Sequence, residues 1–323
     1  MVKALGLFSG GLDSIIAAKL LQKQGIKIEL VNFSTPFFPS KNAKKMAKQL
    51  NLKLKEIDVT KDFLKILRKP KHGYGSALNP CIDCKILMLK KAKKYAENIG
   101  ADFIFTGEVL GERPMSQHRK ALELIEKEAC LKGKLLRPLS AKLLPATEAE
   151  KWISREKLLD IQGRRRERQM KLANRFKIKN YPTPAGGCLL TNKEYASKVK
   201  DLLRHKKISM NDIKLLKIGR HFRFRENKII VGRNERENKE LLKLKDKPDY
   251  VFEVPKIGSP TTLLQGPKIK EAIDLAASLT KHYSDSKEIK TPVNYGKKNL
   301  SKTLLVPDIK NEEINKLRIT FSF

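Results

Sequence analysis

Residues 9–14 form a glycine-rich turn that could hold a phosphate group. The run Ser9-Gly10-Gly11-Leu12-Asp13-Ser14 lies between an apolar stretch that is typical of a buried strand and an apolar-periodic stretch that is typical of a helix. The two glycines allow the backbone to fold closely around an anion, and the amides of a helix N-terminus point towards it. Asp13 suits a neighbouring Mg²⁺ or a substrate amine. The run is not the P-loop of kinases and GTPases, and the competing interpretation is an ordinary glycine turn with a serine cap.

Three of the four cysteines have surroundings that suit sulfur chemistry. Cys81 and Cys84 are three residues apart at the start of a predicted helix, and Cys188 follows the run Pro-Ala-Gly-Gly. The helix N-terminus and Lys85 are expected to lower the pKa of a thiol on that first turn. Cys130 has no such setting and is predicted to be a partly buried helix residue.

Three thiols are compatible with two kinds of chemistry. They could hold three irons of a [4Fe–4S] cluster and leave the fourth iron free to bind sulfide. Alternatively, Cys81 or Cys84 carries a persulfide that another cysteine resolves as a disulfide. Structural zinc is the third interpretation, but it needs a fourth ligand that only Cys130 or one of five scattered histidines could supply.

The charge of the chain points to a polyanionic partner. Lys and Arg number 69 against 35 Asp and Glu, which gives a formal net charge of +34. Nucleic acid is the first candidate partner, although a lysine-rich composition would also raise this number. The run Arg164, Arg165, Arg166 and Arg168 predicts a helix face that tracks phosphates, with a merely solvated face as the alternative.

The elements that must position these residues fall into two groups. Strands are predicted at residues 2–8, 26–33, 53–59, 102–106 and 134–139, and helices at 15–21, 43–50, 61–67 and 82–99. This alternation indicates an α/β domain with a parallel sheet over residues 1–180. Residues 190–323 indicate a smaller α+β domain with helices at 192–205 and 269–282, strands at 222–224, 228–232, 250–254 and 261–264, and a lysine-rich tail after Gly296.

The sequence also suggests a compartment. The cysteines are few and unevenly placed, no basic leader precedes an apolar region, and no run reaches the roughly 18 apolar residues of a membrane span. We therefore expect a cytoplasmic protein with reduced thiols and no membrane partner.

The turn at residues 9–14 resembles the PP-loop of the ATP pyrophosphatase superfamily, which includes lysidine synthetases, NAD synthetases and tRNA thiolases. The resemblance implies a Rossmann-like domain of the adenine nucleotide alpha-hydrolase type that binds ATP through its pyrophosphate. It further implies that Phe33 lies near the adenine and that the Thr106-Gly107 turn lines the nucleotide. The implied nucleotide-binding residues are Ser9, Gly10, Gly11, Leu12, Asp13, Ser14, Phe33, Thr106 and Gly107.

The run NPCIDCK resembles the tRNA-thiolating branch of that superfamily. Residues 106–122, 135–145 and 184–191 resemble a thiouridine-synthase-like group. We expect the protein to differ from 4-thiouridine synthases, which usually place an RNA-binding domain before the PP-loop, in lacking that domain. The resemblance implies that ATP and Mg²⁺ adenylate a uridine carbonyl oxygen, which sulfur then replaces. It implies catalytic roles for Cys81, Cys84, Cys188 and Asp13, with the three cysteines as ligands if a [4Fe–4S] cluster is present.

Residues 210–295 resemble the RNA-binding domain of NFACT proteins through Phe222, Phe224, Gly232, Arg233, Asn234 and Asn238. Aromatic residues flanked by arginines on a strand suit base stacking with phosphate neutralisation. The predicted RNA-binding residues here are Arg220, Phe222, Arg223 and Arg233. The alternative is that Phe222 and Phe224 are core residues.

Together these features predict ATP-dependent thiolation of tRNA. The sulfur donor is expected to be a cysteine desulfurase, a carrier protein or free sulfide, and assembly with a second copy of the chain is left open. Two other functions remain: a lysidine- or amide-forming ligase that acts on RNA, and a non-catalytic RNA-binding protein with a relic nucleotide pocket.

Overall fold

The computed structural model describes residues 1–182, 188–204 and 208–320. The chain divides into two compact units, Met1–Thr191 and Asn192–Phe323, and each is described by itself. The glycine pair before Cys188 and the predicted helix end at His205 lie outside the described residues.

The first unit alternates strands and helices along the chain. Its strands are β1 (Lys3–Leu7), β2 (Lys27–Ser34), β3 (Lys53–Asp58), β4 (Phe103–Thr106) and β5 (Leu135–Leu136). Its helices are α1 (Leu12–Gln22), α2 (Lys41–Gln49), α3 (Thr60–Arg68), α4 (Cys81–Asn98), α5 (Arg119–Glu128) and α6 (Glu167–Arg175). Short 3-10 turns lie at Ala141–Leu143, Glu148–Lys151, Arg155–Lys157 and Leu189–Thr191.

The strands of this unit form a parallel sheet in the order β3-β2-β1-β4-β5. Strand β1 pairs with β2 on one side and β4 on the other, so the strand order reverses at β1. Open α/β sheets bind ligands outside the carboxyl ends of their strands at such a reversal. The predicted parallel α/β fold is confirmed, and the turns after β1 and β4 meet at this edge.

Both faces of the sheet are covered. Ala4 of β1 packs in the core cluster that includes Ile15 and Ile16 of α1, whereas Leu5 packs in the cluster on the other face with Leu89 of α4. This alternation of faces is the two-residue period of a strand. Helices cover the sheet on both sides, so β1, β2 and β4 are buried along most of their length, whereas the edge strand β3 is partly exposed.

The second unit contains an antiparallel sheet. Its helices are α7 (Lys193–Leu203), α8 (Met210–Leu215), α9 (Glu235–Leu244), α10 (Lys270–His282) and α11 (Asn311–Leu317). Its strands are β6 (Arg220–Phe224), β7 (Asn227–Val231), β8 (Tyr250–Glu253), β9 (Thr262–Gln265), β10 (Lys290–Gly296) and β11 (Lys302–Pro307). They are ordered β11-β10-β8-β9-β7-β6, and Ala276 and Leu279 of α10 share a core with Phe222 and Phe252 of the sheet.

The prediction of a lysine-rich tail after Gly296 is wrong. Strand β11 pairs with β10 from Lys290–Pro307 to Tyr295–Lys302 and forms an edge of the sheet. Val306 is buried and Leu304 packs against the same core, whereas Leu305 between them is exposed. The lysines hide a short period-two pattern, so composition alone gave the wrong prediction. Among the described residues, no helix is long and apolar enough to cross a membrane.

Candidate functional site

The turn at residues 9–14, called here the phosphate turn, is built tightly at the carboxyl end of β1. Gly10 has a φ of +74°, and a Cβ at this position would lie 2.5 Å from the carbonyl carbon of Asn42. Only glycine fits both constraints. Helix α1 begins at Leu12 with Gly11 as its N-cap, and the Ser14 hydroxyl donates a hydrogen bond to the Gly11 carbonyl at 2.8 Å. The amides of the first helical turn therefore face the sheet edge, where an anion can bind.

The turn after β4 packs directly on the phosphate turn. A Cβ on Gly107 would lie 2.5 Å from both the amide nitrogen and the Cα of Ser14. Thr106 is buried, and its hydroxyl donates a hydrogen bond to Glu108 Oε2 at 3.1 Å. The structure thus brings together two of the segments proposed to hold the nucleotide. Phe33 lies in the core cluster between the sheet and α4, and its place near an adenine stays a prediction.

Asp13 has an oxygen that is available to a cation. Its Oδ2 accepts a hydrogen bond from Arg166 Nη2 at 3.2 Å, whereas the buried Oδ1 has no hydrogen-bond partner of good geometry among the described residues. Burial raises the pKa of Asp13, while the Arg166 charge and the nearby Gln169 amide oppose this effect. Glu112 lies close enough for its pKa to be raised by burial and then by the charge of Asp13. Sequence reasoning missed Glu112, since nothing local links it to Asp13.

The four clustered arginines do not form one helix face. Helix α6 begins only at Glu167, and Arg166 is committed to Asp13. Arg168 pairs with Asp160 at 2.5 Å, whereas Arg164 and Arg165 are exposed. The prediction of a continuous phosphate-tracking helix face is therefore wrong. Arg166 instead contacts Asp13 of the phosphate turn. The two residues are far apart in the sequence, so spacing could not reveal this contact.

The thiols of Cys81, Cys84 and Cys188, called here the thiol cluster, lie near one another. Cys81 opens α4 and Cys84 follows one turn later. Cys188 precedes a segment that is anchored by hydrogen bonds from Leu78 N to Leu190 O at 3.2 Å and from Leu189 N to Phe37 O at 3.5 Å. The pKa of Cys84 responds to both other thiols. The structure therefore gathers the three cysteines that the sequence singled out.

The expected lowering of a thiol pKa is wrong for Cys84. Burial raises the pKa of Cys84 well above its usual value, and the charge of Lys85 only partly opposes this. Burial also raises the pKa of Cys188. The sequence shows the helix N-terminus and Lys85 but not the desolvation, which is the largest contribution.

Cys81 has a hydrogen-bond donor that the sequence did not reveal. The buried Asn79 amide donates to Cys81 Sγ at 3.2 Å. Such a donor stabilises negative charge on sulfur. Cys130 is exposed with a φ of +55° just after α5, so the prediction that it is a partly buried helix residue is wrong.

A buried ion network joins the β4 turn to the helix of the thiol cluster. Glu108 pairs with Lys85 at 3.4 Å and with Arg137 Nε at 3.1 Å, and Arg137 also pairs with Glu126. Burial opposes ionisation of Glu108, but the charges of Lys85 and Arg137 outweigh it and lower the pKa to about 2. The network links Thr106–Glu108 to the residue that follows Cys84.

The described side chains do not form a ready metal site. Within residues 1–182, 188–204 and 208–320, no group of three or more His, Cys, Asp or Glu is arranged to hold a metal ion. For Mg²⁺, the unpartnered Asp13 Oδ1 beside Glu112 fits a ligand role, since Mg²⁺ is bound through one or two carboxylates and substrate phosphates. For a [4Fe–4S] cluster, the thiols are gathered but do not form the required group.

Of the predicted RNA-binding residues of the second unit, Phe222 and Arg223 are engaged within the fold, whereas Arg220 and Arg233 line a cavity. Phe222 is fully buried in the core and cannot stack on a base, so this prediction is wrong. Arg223 forms two hydrogen bonds with the Asp201 carboxylate and ties β6 to α7. Arg220 and Arg233 reach the surface of a cavity, where Arg233 also pairs with Glu237 at 2.5 Å.

Two family models match separate parts of the chain. Residues 1–142 match the family model of the thiamine biosynthesis protein ThiI, and residues 219–318 match that of the NFACT protein RNA binding domain. A probable tRNA sulfurtransferase of Lysinibacillus sphaericus is 33% identical over 146 residues, which are 42% of this chain and 34% of that protein. A tRNA-specific 2-thiouridylase of Sulfurimonas denitrificans is 33% identical over 115 residues, which are 32% of this chain and 34% of that protein.

The chain spans about a third of the length of these curated relatives. A solved 4-thiouridine synthetase in complex with RNA and ATP is 21% identical with a TM-score of 0.38, and the likeness covers 67% of this chain and 51% of that one. That likeness is too weak to transfer any contact.

Proposed function

Because the chain carries a ThiI-like domain followed by an NFACT-like RNA-binding domain, we propose that it catalyses the ATP-dependent thiolation of a uridine in tRNA. One observation carries the proposal: the phosphate turn and the thiol cluster lie in the same unit and are joined through Gly107, Glu108 and Lys85. A nucleotide turn alone would suit any adenylating enzyme. Its connection to three gathered thiols favours sulfur as the nucleophile.

In the first step, the uridine carbonyl oxygen attacks the α-phosphorus of ATP. An oxygen–phosphorus bond forms, the bond to the β-phosphate bridge breaks, and pyrophosphate leaves on the amides of the phosphate turn. Arg166 pairs with Asp13 of that turn through Nη2, and its other donors can bind the departing pyrophosphate. Mg²⁺, held by Asp13 and Glu112, would neutralise negative charge on the phosphates. Adenylation converts a poor leaving oxygen into a good one.

In the second step, sulfur replaces AMP. We assign the persulfide to Cys81, because its sulfur accepts a hydrogen bond from Asn79 whereas Cys84 is the thiol most disfavoured as a thiolate. The outer sulfur attacks the adenylated carbon, the carbon–oxygen bond breaks, and AMP and a proton leave. The Cys188 sulfur then attacks Cys81 Sγ and loses its proton. The bond between Cys81 Sγ and the transferred sulfur breaks, so the thiouridine is released and a Cys81–Cys188 disulfide remains. Turnover requires a sulfur donor and a dithiol reductant of that disulfide.

A [4Fe–4S] cluster on Cys81, Cys84 and Cys188 is the alternative holder of the sulfur. Desolvation raises the pKa values of Cys84 and Cys188, and a bound metal deprotonates such thiols, although the described thiols are not arranged to hold a metal in this structure. A cluster would supply an iron site for sulfide. Anaerobic purification followed by iron and sulfide assays separates the two: an iron-free protein that thiolates tRNA supports the persulfide.

The reaction class is tested by ATP turnover with bulk tRNA. The proposal expects AMP and pyrophosphate to form in equal amounts and to require tRNA. Absence of pyrophosphate release under reducing conditions would instead support a non-catalytic RNA-binding protein. A variant in which Cys81, Cys84 and Cys188 are all serine separates the remaining function: a modified nucleoside still formed by it would show an RNA ligase rather than a thiolase.

A further inference from the structure

The second unit contains a cavity of about 440 Å³ that is lined by four cationic side chains. Lys198 comes from α7, Arg220 from β6, Arg233 from the loop before α9, and Arg318 from the residue after α11. We call this cavity the basic pocket. The sequence identified Arg220 and Arg233 as RNA-binding candidates, but Lys198 and Arg318 come from distant segments, so no single run reveals the whole pocket.

The fold places these side chains firmly. Strand β6 is an edge of the sheet, and Gly219 precedes it with a φ of +71° and a Cβ position 2.6 Å from the carbonyl oxygen of Val231. The segment after α11 lies along the open side of β6. Ile319 N donates a hydrogen bond to the His221 carbonyl at 2.9 Å, and the backbone of Arg318 forms an isolated antiparallel β-bridge with that of Phe222. Arg220 and Arg318 are therefore carried by hydrogen-bonded backbone on both walls of the pocket.

Two of the four cations are not neutralised. Lys198 pairs with Glu194 at 3.2 Å, and Arg233 pairs with Glu237. In the part of the chain that the structure describes, Arg220 and Arg318 have no carboxylate within ion-pair distance. The pocket therefore has an excess of positive charge.

Both of these arginines are oriented by one aromatic ring. The guanidinium of Arg220 lies 4.4 Å from the centre of the Tyr283 ring, and Arg318 Nη2 donates to the Tyr283 hydroxyl at 2.8 Å. Stacking and a fixed hydrogen bond reduce the freedom of a guanidinium and leave its other donors available. His221 adds no charge at neutral pH, because burial lowers its pKa well below the usual value.

We propose that the basic pocket binds a phosphate group of the tRNA backbone through Arg220 and Arg318. Paired guanidinium donors match the geometry of phosphate oxygens, and backbone contacts of this kind position an RNA without reading its sequence. Three of the four cations lie within the residues that match the NFACT RNA-binding domain, whereas Lys198 lies outside them. That the RNA is tRNA rests on the function proposed above.

The test is the salt dependence of tRNA binding by the full chain. Each lost phosphate contact should reduce the slope of log K against log salt by about 0.7 to 0.9. We expect this reduction and a several-fold weaker affinity for Arg220→Gln and for Arg318→Gln. Arg225→Gln is the matched control. Arg225 is an exposed arginine at the β6–β7 turn outside the pocket, and its substitution removes the same charge. Thermal unfolding of each variant checks that it is folded.

A slope in both pocket variants that equals the slope of the wild type or of Arg225→Gln would overturn the proposal. Titration with inorganic phosphate forms a second arm: if phosphate binds the wild type but not Arg318→Gln while tRNA binding is unchanged, the pocket is a free-phosphate site and the tRNA assignment is wrong. Thiouridine formation is measured separately. A wild type that binds tRNA through the pocket without thiolating it would contradict the proposed function and leave the pocket standing.

Discussion

Individual side chains show why three cysteines of similar sequence setting differ chemically. Cys81 accepts a hydrogen bond from Asn79, Cys84 is desolvated, and Cys188 lies on a separate segment that returns to them. The sequence identified all three from their spacing and glycine neighbours. It could not rank them, because burial and the Asn79 contact arise only from the fold.

The first residue-scale prediction concerns Cys188. In Cys188→Ser, thiouridine formation should fall at least about a hundredfold, while tRNA-dependent pyrophosphate release continues, because adenylation precedes sulfur transfer. Cys130→Ser is the control, since Cys130 is exposed whereas the cysteines of the thiol cluster are partly buried. Thionucleosides are measured by mass spectrometry of digested tRNA. Normal thiolation in Cys188→Ser would contradict the role of Cys188.

The second residue-scale prediction concerns Glu108 and pH. Its folded pKa of about 2 lies below the usual 4.5, so it stabilises the fold fully above about pH 4.5, and this contribution is lost as the pH falls towards 2. Glu108→Gln leaves Lys85 and Arg137 without their shared carboxylate and should destabilise the protein by about 3 kcal/mol at pH 7.

The measurement for Glu108 is urea unfolding at pH 7 and at pH 3. The difference between wild type and variant should shrink at pH 3, because the Glu108 carboxyl of the unfolded wild type is protonated there while that of the folded protein is still ionised. Glu128→Gln is the control, because Glu128 pairs with Lys71 at the surface and should change the stability by less than about 1 kcal/mol. A pH-independent difference would show that Glu108 does not act through its charge.

At the scale of elements, the contact between the two turns decides whether the nucleotide site can form. The alternation of strands and helices predicts a parallel sheet with the carboxyl ends of its strands at one edge, but it does not predict the order of β1, β2 and β4. The approach of Gly107 to Ser14 and the return of Arg166 to Asp13 could not be predicted either, because they join segments far apart in the chain. The same holds for β11, whose period-two pattern is short and rich in lysine.

The element-scale prediction is that Gly107→Ala abolishes ATP binding. The added methyl would overlap the Ser14 backbone and must push the β4 turn away from the phosphate turn. Gly133→Ala is the control: the φ of Gly133 is +72°, so alanine is strained there, but nothing lies within 4 Å of the added Cβ. It should lose about 1 kcal/mol of stability and keep ATP binding. ATP affinity is measured by calorimetry, and normal binding by Gly107→Ala would refute the contact.

For the whole molecule, the charge of +34 describes surfaces on both units rather than a single basic helix. In the first unit, Arg164 and Arg165 are exposed, whereas Arg166 and Arg168 are paired with acids. In the second unit, Arg220 and Arg318 of the basic pocket have no carboxylate within ion-pair distance among the described residues. Composition could predict a polyanionic partner but not which arginines face it.

The prediction at this scale compares exposed with paired arginines. The double variant Arg164→Gln and Arg165→Gln should weaken tRNA binding and reduce the salt slope by about 1.5, because two exposed cations are lost. Arg168→Gln should change the slope little, since Arg168 is ion-paired with Asp160. Equal salt slopes for the double variant and for Arg168→Gln would show that the exposed arginines do not contact tRNA and that the net charge reflects only a lysine-rich composition.

The central claim is that this chain transfers sulfur to a uridine after adenylating it. The direct measurement is mass spectrometry of digested tRNA after incubation with the protein, ATP, a dithiol reductant and a cysteine desulfurase supplied with cysteine labelled with heavy sulfur, because a desulfurase delivers sulfur as a persulfide. We predict labelled thiouridine whose formation depends on ATP. It should not form with Asp13→Asn, because this substitution removes the carboxylate of the phosphate turn. Unlabelled or absent thiouridine, with aerobic and anaerobic preparations both folded and binding ATP and tRNA, would contradict the account.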